Sequence, residues 1–185
     1  SVYKKGVMMF PSQTNFFNYI GQRSFSGNLI GSCTVTSIMR DHEGTLWVGT
    51  DNDGIYALND HTQRAHISPR QGAAPTIFSL FEDSNNNIWF GSYTKGMGKL
   101  DRNTLQCTYR TDIKDANGRQ VLHVFDIKED KEKRLWIATL GSGLYCLDLN
   151  TNTISFNKEV NEKLSSWLYC VLPTSDNKLL VGSHR

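Results

Sequence analysis

The sequence lacks a long apolar run. No stretch reaches the roughly 18 consecutive apolar residues that a membrane-crossing helix needs. The opening SVYKKGVMMFPSQTN breaks its apolar VMMF at Pro11, too early for a secretory core. Charge of one sign is missing too. The 20 Lys and Arg and 18 Asp and Glu are scattered along the chain, which leaves no basic footprint for nucleic acid. Cysteine is scarce: Cys33, Cys107, Cys146 and Cys170 make no CxxC pair and have no zinc-finger spacing. Three of the four fall in strand-like stretches, where Cys acts as a small apolar filler, so free and mostly buried thiols are expected. A P-loop, GxSxG, HExxH and a kinase nucleotide motif are all absent. The five histidines are dispersed, with His42, His61 and His184 in turns and His66 and His123 in or beside strands, and none has a sequence partner for acid–base work. Together these absences point to a segment that is not an enzyme and holds no cofactor or metal.

What the sequence has is a repeat. The stretch DHEGTLWVGTDNDGIYALN, from Asp41 to Asn59, returns in altered form along the chain. Trp47 sits in TLWVGT, Trp89 in NIWFGS and Trp136 in RLWIAT, and KLLVGS places Leu180 in the same slot. Nine residues before each stand Ile38, Leu80, Ile127 and Val171; six before stand Asp41, Asp83 and Asp130, with Thr174 as the departure. Seven after stand Gly54, Gly96 and Gly143. The spacings of 42, 47 and 44 residues fall in the range of propeller blades.

Each unit reads as four short strands, in the first case VTSIMRD, TLWVGT, GIYALN and RAHIS, separated by Asp, Asn, Gly and Ser turns. Helical periodicity is nowhere sustained. The second strand is apolar on successive residues, so both of its faces need cover. Sheets stacked side by side provide it. The expected fold is therefore all-β, with four-stranded antiparallel sheets as β-propeller blades, in about four blades or a partial propeller. Trp47, Trp89 and Trp136 are expected as wedges between adjacent blades. Gly49, Gly91 and Gly182, with Ala138, keep room for the neighbouring sheet, and Gly54, Gly96 and Gly143 turn the chain into the third strand. The expected boundaries are a half blade at 1–20, blades at 35–69, 76–111 and 121–158, and a half blade at 167–185. Gly6 would match Gly54 in the first half blade. The two halves are complementary, which suggests a composite blade within one chain or in a homodimer.

The pattern of Asp, a Gly/Asn turn, [IL]-W-[IVF]-G-[TS] and a following G-[LIM] resembles the two-component regulator propeller family. DHEGTLWVGTDNDGI, DSNNNIWFGSYTKGM and DKEKRLWIATLGSGL carry the resemblance, which extends over nearly the whole chain. Ala138, Leu180 and Thr174 are the departures. The resemblance implies a slice of the periplasmic sensor of a hybrid two-component protein, followed elsewhere by further repeats, a membrane helix and a histidine kinase. It also implies signal transduction in response to a glycan.

Propellers bind where loops of successive blades converge. Those loops are the turns between second and third strands and the blade-to-blade connections, including Arg70-Gln71-Gly72, Asp115 to Gln120 and Asn161 to Trp167. An oligosaccharide would use aromatic faces and polar groups there, which makes Asp51, Asp53, Tyr93, Lys95, Arg119, Trp167 and His184 the candidate contacts. One alternative is a purely structural segment serving protein–protein contact. Another is an Asp-box glycoside hydrolase, for which Arg119, Arg23 and Tyr93 fall in no recognisable order. The Asp51-Asn52-Asp53-Gly54 turn resembles a short calcium loop, but an oxygen cage needs six to eight ligands, and the second repeat puts Lys95 there.

Overall fold

A computed structural model of the chain describes residues 7–9, 18–20, 29–59, 62–68, 75–156 and 158–184. Gly6, Arg23, His61, the Arg70-Gln71-Gly72 loop and Arg185 lie outside the described residues. The chain divides into two compact units, Ser1–Ile77 and Phe78–Arg185.

In the first unit, β1 (Val7–Met9) pairs antiparallel with β2 (Asn18–Ile20). A four-stranded sheet follows, made of β3 (Val35–Arg40), β4 (Leu46–Thr50), β5 (Ile55–Asn59) and β6 (Thr62–Ile67), each beside the next in sequence. Trp47 and Val48 point to opposite faces of β4, and both are fully buried. The sheet core joins Val35, Val48, Tyr56 and Leu58 to Ile20, Leu29 and Ile30.

The second unit repeats the same order. The strands β7 (Ile77–Glu82), β8 (Ile88–Ser92), β9 (Gly96–Leu100) and β10 (Cys107–Tyr109) form one sheet. The strands β11 (Val124–Glu129), β12 (Arg134–Thr139), β13 (Gly143–Asp148) and β14 (Thr153–Ser155) form the next. A short helix, α1 (Lys158–Lys163), leads to the two-stranded pair β15 (Leu168–Pro173) and β16 (Leu179–Ser183). This helix occupies part of a stretch whose sequence shows no helical period, and Asn161 explains its place. The Asn161 side chain accepts from the Leu144 N–H at 2.6 Å and donates to the Leu144 carbonyl at 2.9 Å, clasping the start of β13.

Two of the three repeat tryptophans pack against the following sheet of the second unit. Trp89 lies in one core with Val124, Ile127, Leu135 and Ile137 of the following sheet. Trp136 is half-buried and packs beside Ala138, Leu168 and Val171. The small residue two places on from the tryptophan lets sheets approach. A Cβ on Gly91 would stand 2.7 Å from Val124 Cγ1 and 2.8 Å from the Val124 carbonyl oxygen, and one on Gly49 would stand 2.8 Å from Ile77 Cγ2. Gly54, Gly96 and Gly143 take φ of 78°, 76° and 82°, the region that L side chains avoid. The cysteines are free, but they are not mostly buried. Cys33, Cys107 and Cys146 are half-buried and Cys170 is exposed. Cys107 sits on an outermost strand, and Cys170 lies on the face of β15–β16 that also exposes Leu172 and Leu180.

Candidate ligand-binding site

One conserved geometry begins each complete repeat and must be set apart from ligand chemistry. Each repeat aspartate holds its own hairpin and its own tryptophan. The Trp47, Trp89 and Trp136 indole N–H groups donate to Asp41, Asp83 and Asp130 at 2.8, 2.7 and 2.8 Å. The other carboxylate oxygen accepts backbone N–H groups of the turn, from Thr45, Asn87 and Arg134. In the fourth copy Thr174 closes the same hairpin with its hydroxyl, which accepts from the Lys178 N–H at 3.1 Å, and Leu180 has no indole to hold.

In the first unit, Asp51 and Asp53 also serve structure. Asp51 Oδ1 accepts from the Thr76 hydroxyl at 2.6 Å and from Asn52 at 3.0 Å. Asp53 Oδ2 accepts from the Tyr56 hydroxyl at 2.6 Å. The His66 ring stacks on Tyr56 with centroids 4.0 Å apart, and its Nε2–H donates to the Asp53 carbonyl at 2.7 Å. Burial first, then the hydrogen bond to Asp53 and its charge, push the Tyr56 hydroxyl upward.

In the second unit, Lys95 lies 5.6 Å from the ring centroid of Tyr109 on β10, so its ammonium is directed to the outermost strand. Arg119 closes its own hairpin, donating from Nε to Asp115 at 3.1 Å. Hydrogen bonds from the Arg119 and Asn117 backbone N–H groups hold the Asp115 carboxyl below its usual value, against a smaller burial effect.

Tyr93 and His184 are different, because they belong to a strip of rings, and Trp167 lines a cleft beside it. Phe78 stacks on Phe125 with centroids 4.2 Å apart and planes 16° from parallel. Tyr169 meets Phe125 edge-on at 5.5 Å. Tyr93 packs on Phe78 at 6.0 Å, on Phe125 at 6.4 Å and on His123 at 4.6 Å. His184 lies 6.5 Å from Tyr169. The His123 Nδ1–H donates to the Tyr93 carbonyl, which fixes its tautomer. Ser165, Trp167, Tyr169 and His184 line a cleft of about 390 Å³.

The backbone under this cleft is pinned. The Trp167 carbonyl accepts from the His184 N–H at 3.0 Å, and the Ser166 carbonyl accepts from Gly141 and Gly143 at 2.8 and 3.1 Å. The side chains above it stay open, with Trp167 52% and Tyr169 43% exposed. Phe78, Phe125 and Tyr169 were not among the sequence candidates. The signal for them was present: each stands eleven residues before the tryptophan slot of its repeat.

The profile of the family described as two component regulator propeller matches residues 28–52 and 72–94. Those two segments are similar to two-component regulator propeller repeats. It is 25% identical to the extracellular domain of a protein assigned as the hybrid two component system BT3049 of B. thetaiotaomicron, with a TM-score of 0.76. That match covers 98% of this chain and 23% of the other. The extracellular domain of BT4673 from the same organism, also assigned to a hybrid two component system, matches at 16% identity and a TM-score of 0.75. It covers 98% of this chain and 26% of the other. PorZ, a surface component of the type-IX secretion system of Porphyromonas gingivalis, matches at 21% identity and a TM-score of 0.63, covering 98% and 28%. These last two likenesses show the fold alone. No curated protein matches the chain by sequence. The propeller repeats here span about a quarter of the length of these structures. Among the described residues no helix is long and apolar enough to cross a membrane.

Proposed function

We propose that the chain is a ligand-sensing propeller segment of the extracytoplasmic sensor of a hybrid two-component system, and that the ligand is a glycan. The observation that carries this reading is the likeness over 98% of the chain to the extracellular domain of BT3049. The pinned cleft with exposed rings supports a contact role for the segment. The rest of the parent protein follows from the same likeness: further propeller repeats, a histidine kinase module, and a place for this segment in the periplasm.

An oligosaccharide panel in a thermal-shift assay tests the proposal. A ligand at one hundred times its Kd adds about 2.7 kcal/mol to stability. For a chain of this size that raises the melting temperature by about 5–10 °C. Flat melting across the panel, with the intact sensor still responding, assigns the segment a structural role in protein–protein contact. Turnover of a chromogenic glycoside by this chain overturns the non-enzymatic reading.

A further inference from the structure

The aspartate turn of the repeat occurs once more, outside the repeat. At Asp83 the carboxylate Oδ1 accepts the Asn85 and Asn87 N–H groups, the Asp83 N–H donates to the Asn87 carbonyl, and the Asn86 N–H donates to the Asp83 carbonyl. At Asp115 the same set of bonds returns. Oδ1 accepts the Asn117 and Arg119 N–H groups at 2.9 Å, the Asp115 N–H donates to the Arg119 carbonyl at 2.8 Å, and the Gly118 N–H donates to the Asp115 carbonyl at 2.9 Å. This copy lies in the connection between β10 and β11. It has no tryptophan to hold: six residues on stands Val121, and the second carboxylate oxygen takes Arg119 Nε instead. Its base is fixed. Ile113 and Val121 are buried in the core of the second unit, Lys114 pairs with Gln120, and the Lys114 carbonyl accepts from the Tyr145 hydroxyl at 3.2 Å. Its tip stands in water, with Ala116, Asn117 and Gly118 exposed.

The two turns place an asparagine in the same position with different neighbours. Asn85 and Asn117 each stand two residues after the aspartate. Asn85 is followed by Asn86, at φ 63°, and its side-chain oxygen accepts from Lys133 at 3.3 Å. Asn117 is followed by Gly118, at φ 76°, and among the described residues its side-chain amide has no hydrogen-bond partner. Asn117-Gly118 is the one Asn-Gly pair in the sequence. A Cβ added to Gly118 would meet nothing within 4 Å, so this peptide is open to solvent on that side. A glycine nitrogen has no side chain beside it, which makes it the backbone nucleophile least hindered in reaching the amide of a preceding asparagine.

We propose that Asn117 is a site of spontaneous deamidation and that the Asp115 turn sets its rate. The Gly118 nitrogen, deprotonated by solvent base, attacks Asn117 Cγ. The N–Cγ bond forms, the Cγ–Nδ2 bond breaks, and Nδ2 leaves as ammonia with a proton from solvent, which closes a succinimide ring. Water opens the ring at either carbonyl and gives aspartate or isoaspartate. Water is the sole co-reactant. The attack requires the Gly118 N–H to leave the Asp115 carbonyl, so the turn has to open first. Either product adds a negative charge beside Asp115 and Arg119. The isoaspartate also routes the backbone through Cβ, which lengthens the turn and breaks the match between Asp115 and Arg119 across it. This inference stands apart from the sensor reading, because it concerns the chain with no ligand.

Tryptic mapping of the folded 185-residue chain during prolonged incubation in mildly alkaline buffer tests the site. The peptide Asp115–Arg119 is expected to gain aspartate and isoaspartate first, while the peptide that carries Asn85 keeps its amides over the same period. Gly118→Asn reproduces the Asn85-Asn86 pair at a backbone angle that asparagine already adopts in this turn, and it should slow the reaction about tenfold or more. Asp115→Ala removes the carboxylate that holds the turn and should quicken it, as should unfolding the parent chain in urea. The turn is exposed, so the melting temperature of Asp115→Ala should stay near the parent value. A folded chain that keeps its Asn117 amide while the urea-unfolded chain loses it overturns the site. Equal loss from the Asn85 and Asn117 peptides overturns the part given to Gly118, and a rate unchanged in Asp115→Ala overturns the control by the turn.

Discussion

An indole N–H and a carboxylate oxygen six residues apart join the two halves of each complete hairpin. Asp83 shows how much one side chain does: it accepts from Trp89, from the Asn87 side chain, and from the backbone N–H groups of Asn85 and Asn87. It is buried, so removing it strands donors that water cannot reach. Asp83→Ala should cost about 1–3 kcal/mol, read from the urea midpoint, and a loss below about 0.5 kcal/mol would show that the turn stands without it. Trp89→Ala removes a core side chain as well and should cost about 3–5 kcal/mol. The third copy adds a pH dependence. Burial works to raise the Asp130 carboxyl, but hydrogen bonds from the Trp136 indole, from Arg134 and from the Glu132 backbone outweigh it, and its pKa is lowered. With the folded value the lower one, the stabilisation is complete above the unfolded carboxyl pKa of about 4 and is lost as pH falls through the folded value. The stability gap between the parent and Asp130→Asn should be flat from pH 7 to 5 and narrow below about pH 4; a gap unchanged at pH 3 contradicts this. The thiols differ by exposure. Burial pushes Cys107 up to about 11 and raises Cys33 and Cys146, whereas Cys170 is exposed. A thiol reagent near pH 8 should modify Cys170 first, and Cys170→Ser should abolish the fast phase.

Strands carry the next level of the argument, and here the limits of sequence reading become physical. The second strand of each blade was legible because its burial on both faces leaves a mark, successive apolar residues closed by a small one. Gly91 illustrates the closing residue. Its added Cβ would meet the Val124 carbonyl, which is backbone and cannot rotate away. Gly91→Ala should therefore cost about 1–3 kcal/mol, measured by thermal or urea unfolding, while Gly118→Ala, with open space around its Cβ, tests only the strain of a positive φ. The first strand was harder to read. In β11 and β15 a bulge inserts Phe125 and Tyr169 without changing composition, so these residues, like Phe78, read as ordinary strand aromatics. Candidate contacts chosen for their turn positions divided accordingly. Asp51 and Asp53 hold their own turn, Lys95 is directed to the outermost strand, and Arg119 closes its hairpin. A polar residue in a tight turn commonly hydrogen-bonds its own backbone or near neighbours, and sequence does not distinguish that use from a ligand contact. Tyr93 and His184 lie with the rings, and Trp167 beside them, because the bulged strands bring rings to that end of the unit. The post-bulge residue is a second feature that only coordinates reveal. Asp126 accepts from Ser79 of β7 at 3.3 Å and from the Val171 N–H of β15 at 3.0 Å, tying together three first strands.

For the whole molecule, the division after Ile77 makes a claim about cooperativity. The second unit has its own large core, from Trp89 and Met97 through Val124 and Ile137 to Tyr145 and Leu147, and a smaller one around Ala138, Leu144, Leu168 and Val171. The Asp126 hydrogen bonds run between strands of that unit and add to its connection. In repeat folds stability is close to a sum of unit and neighbour-interface contributions, so a piece that keeps its interfaces folds by itself. A fragment of residues 75–185 keeps β7 complete and retains both cores. It should unfold in a single cooperative transition, with near-ultraviolet dichroism from Trp89 and Trp136 lost at the same urea concentration as the far-ultraviolet signal. Non-coincident transitions, or a fragment with strand signal but no fixed aromatic environment, would show that the cores of this unit depend on residues before 75. If the fragment does fold, it contains every ring of the strip, and repeating the oligosaccharide thermal-shift panel on it separates binding by this unit from binding that needs the whole chain.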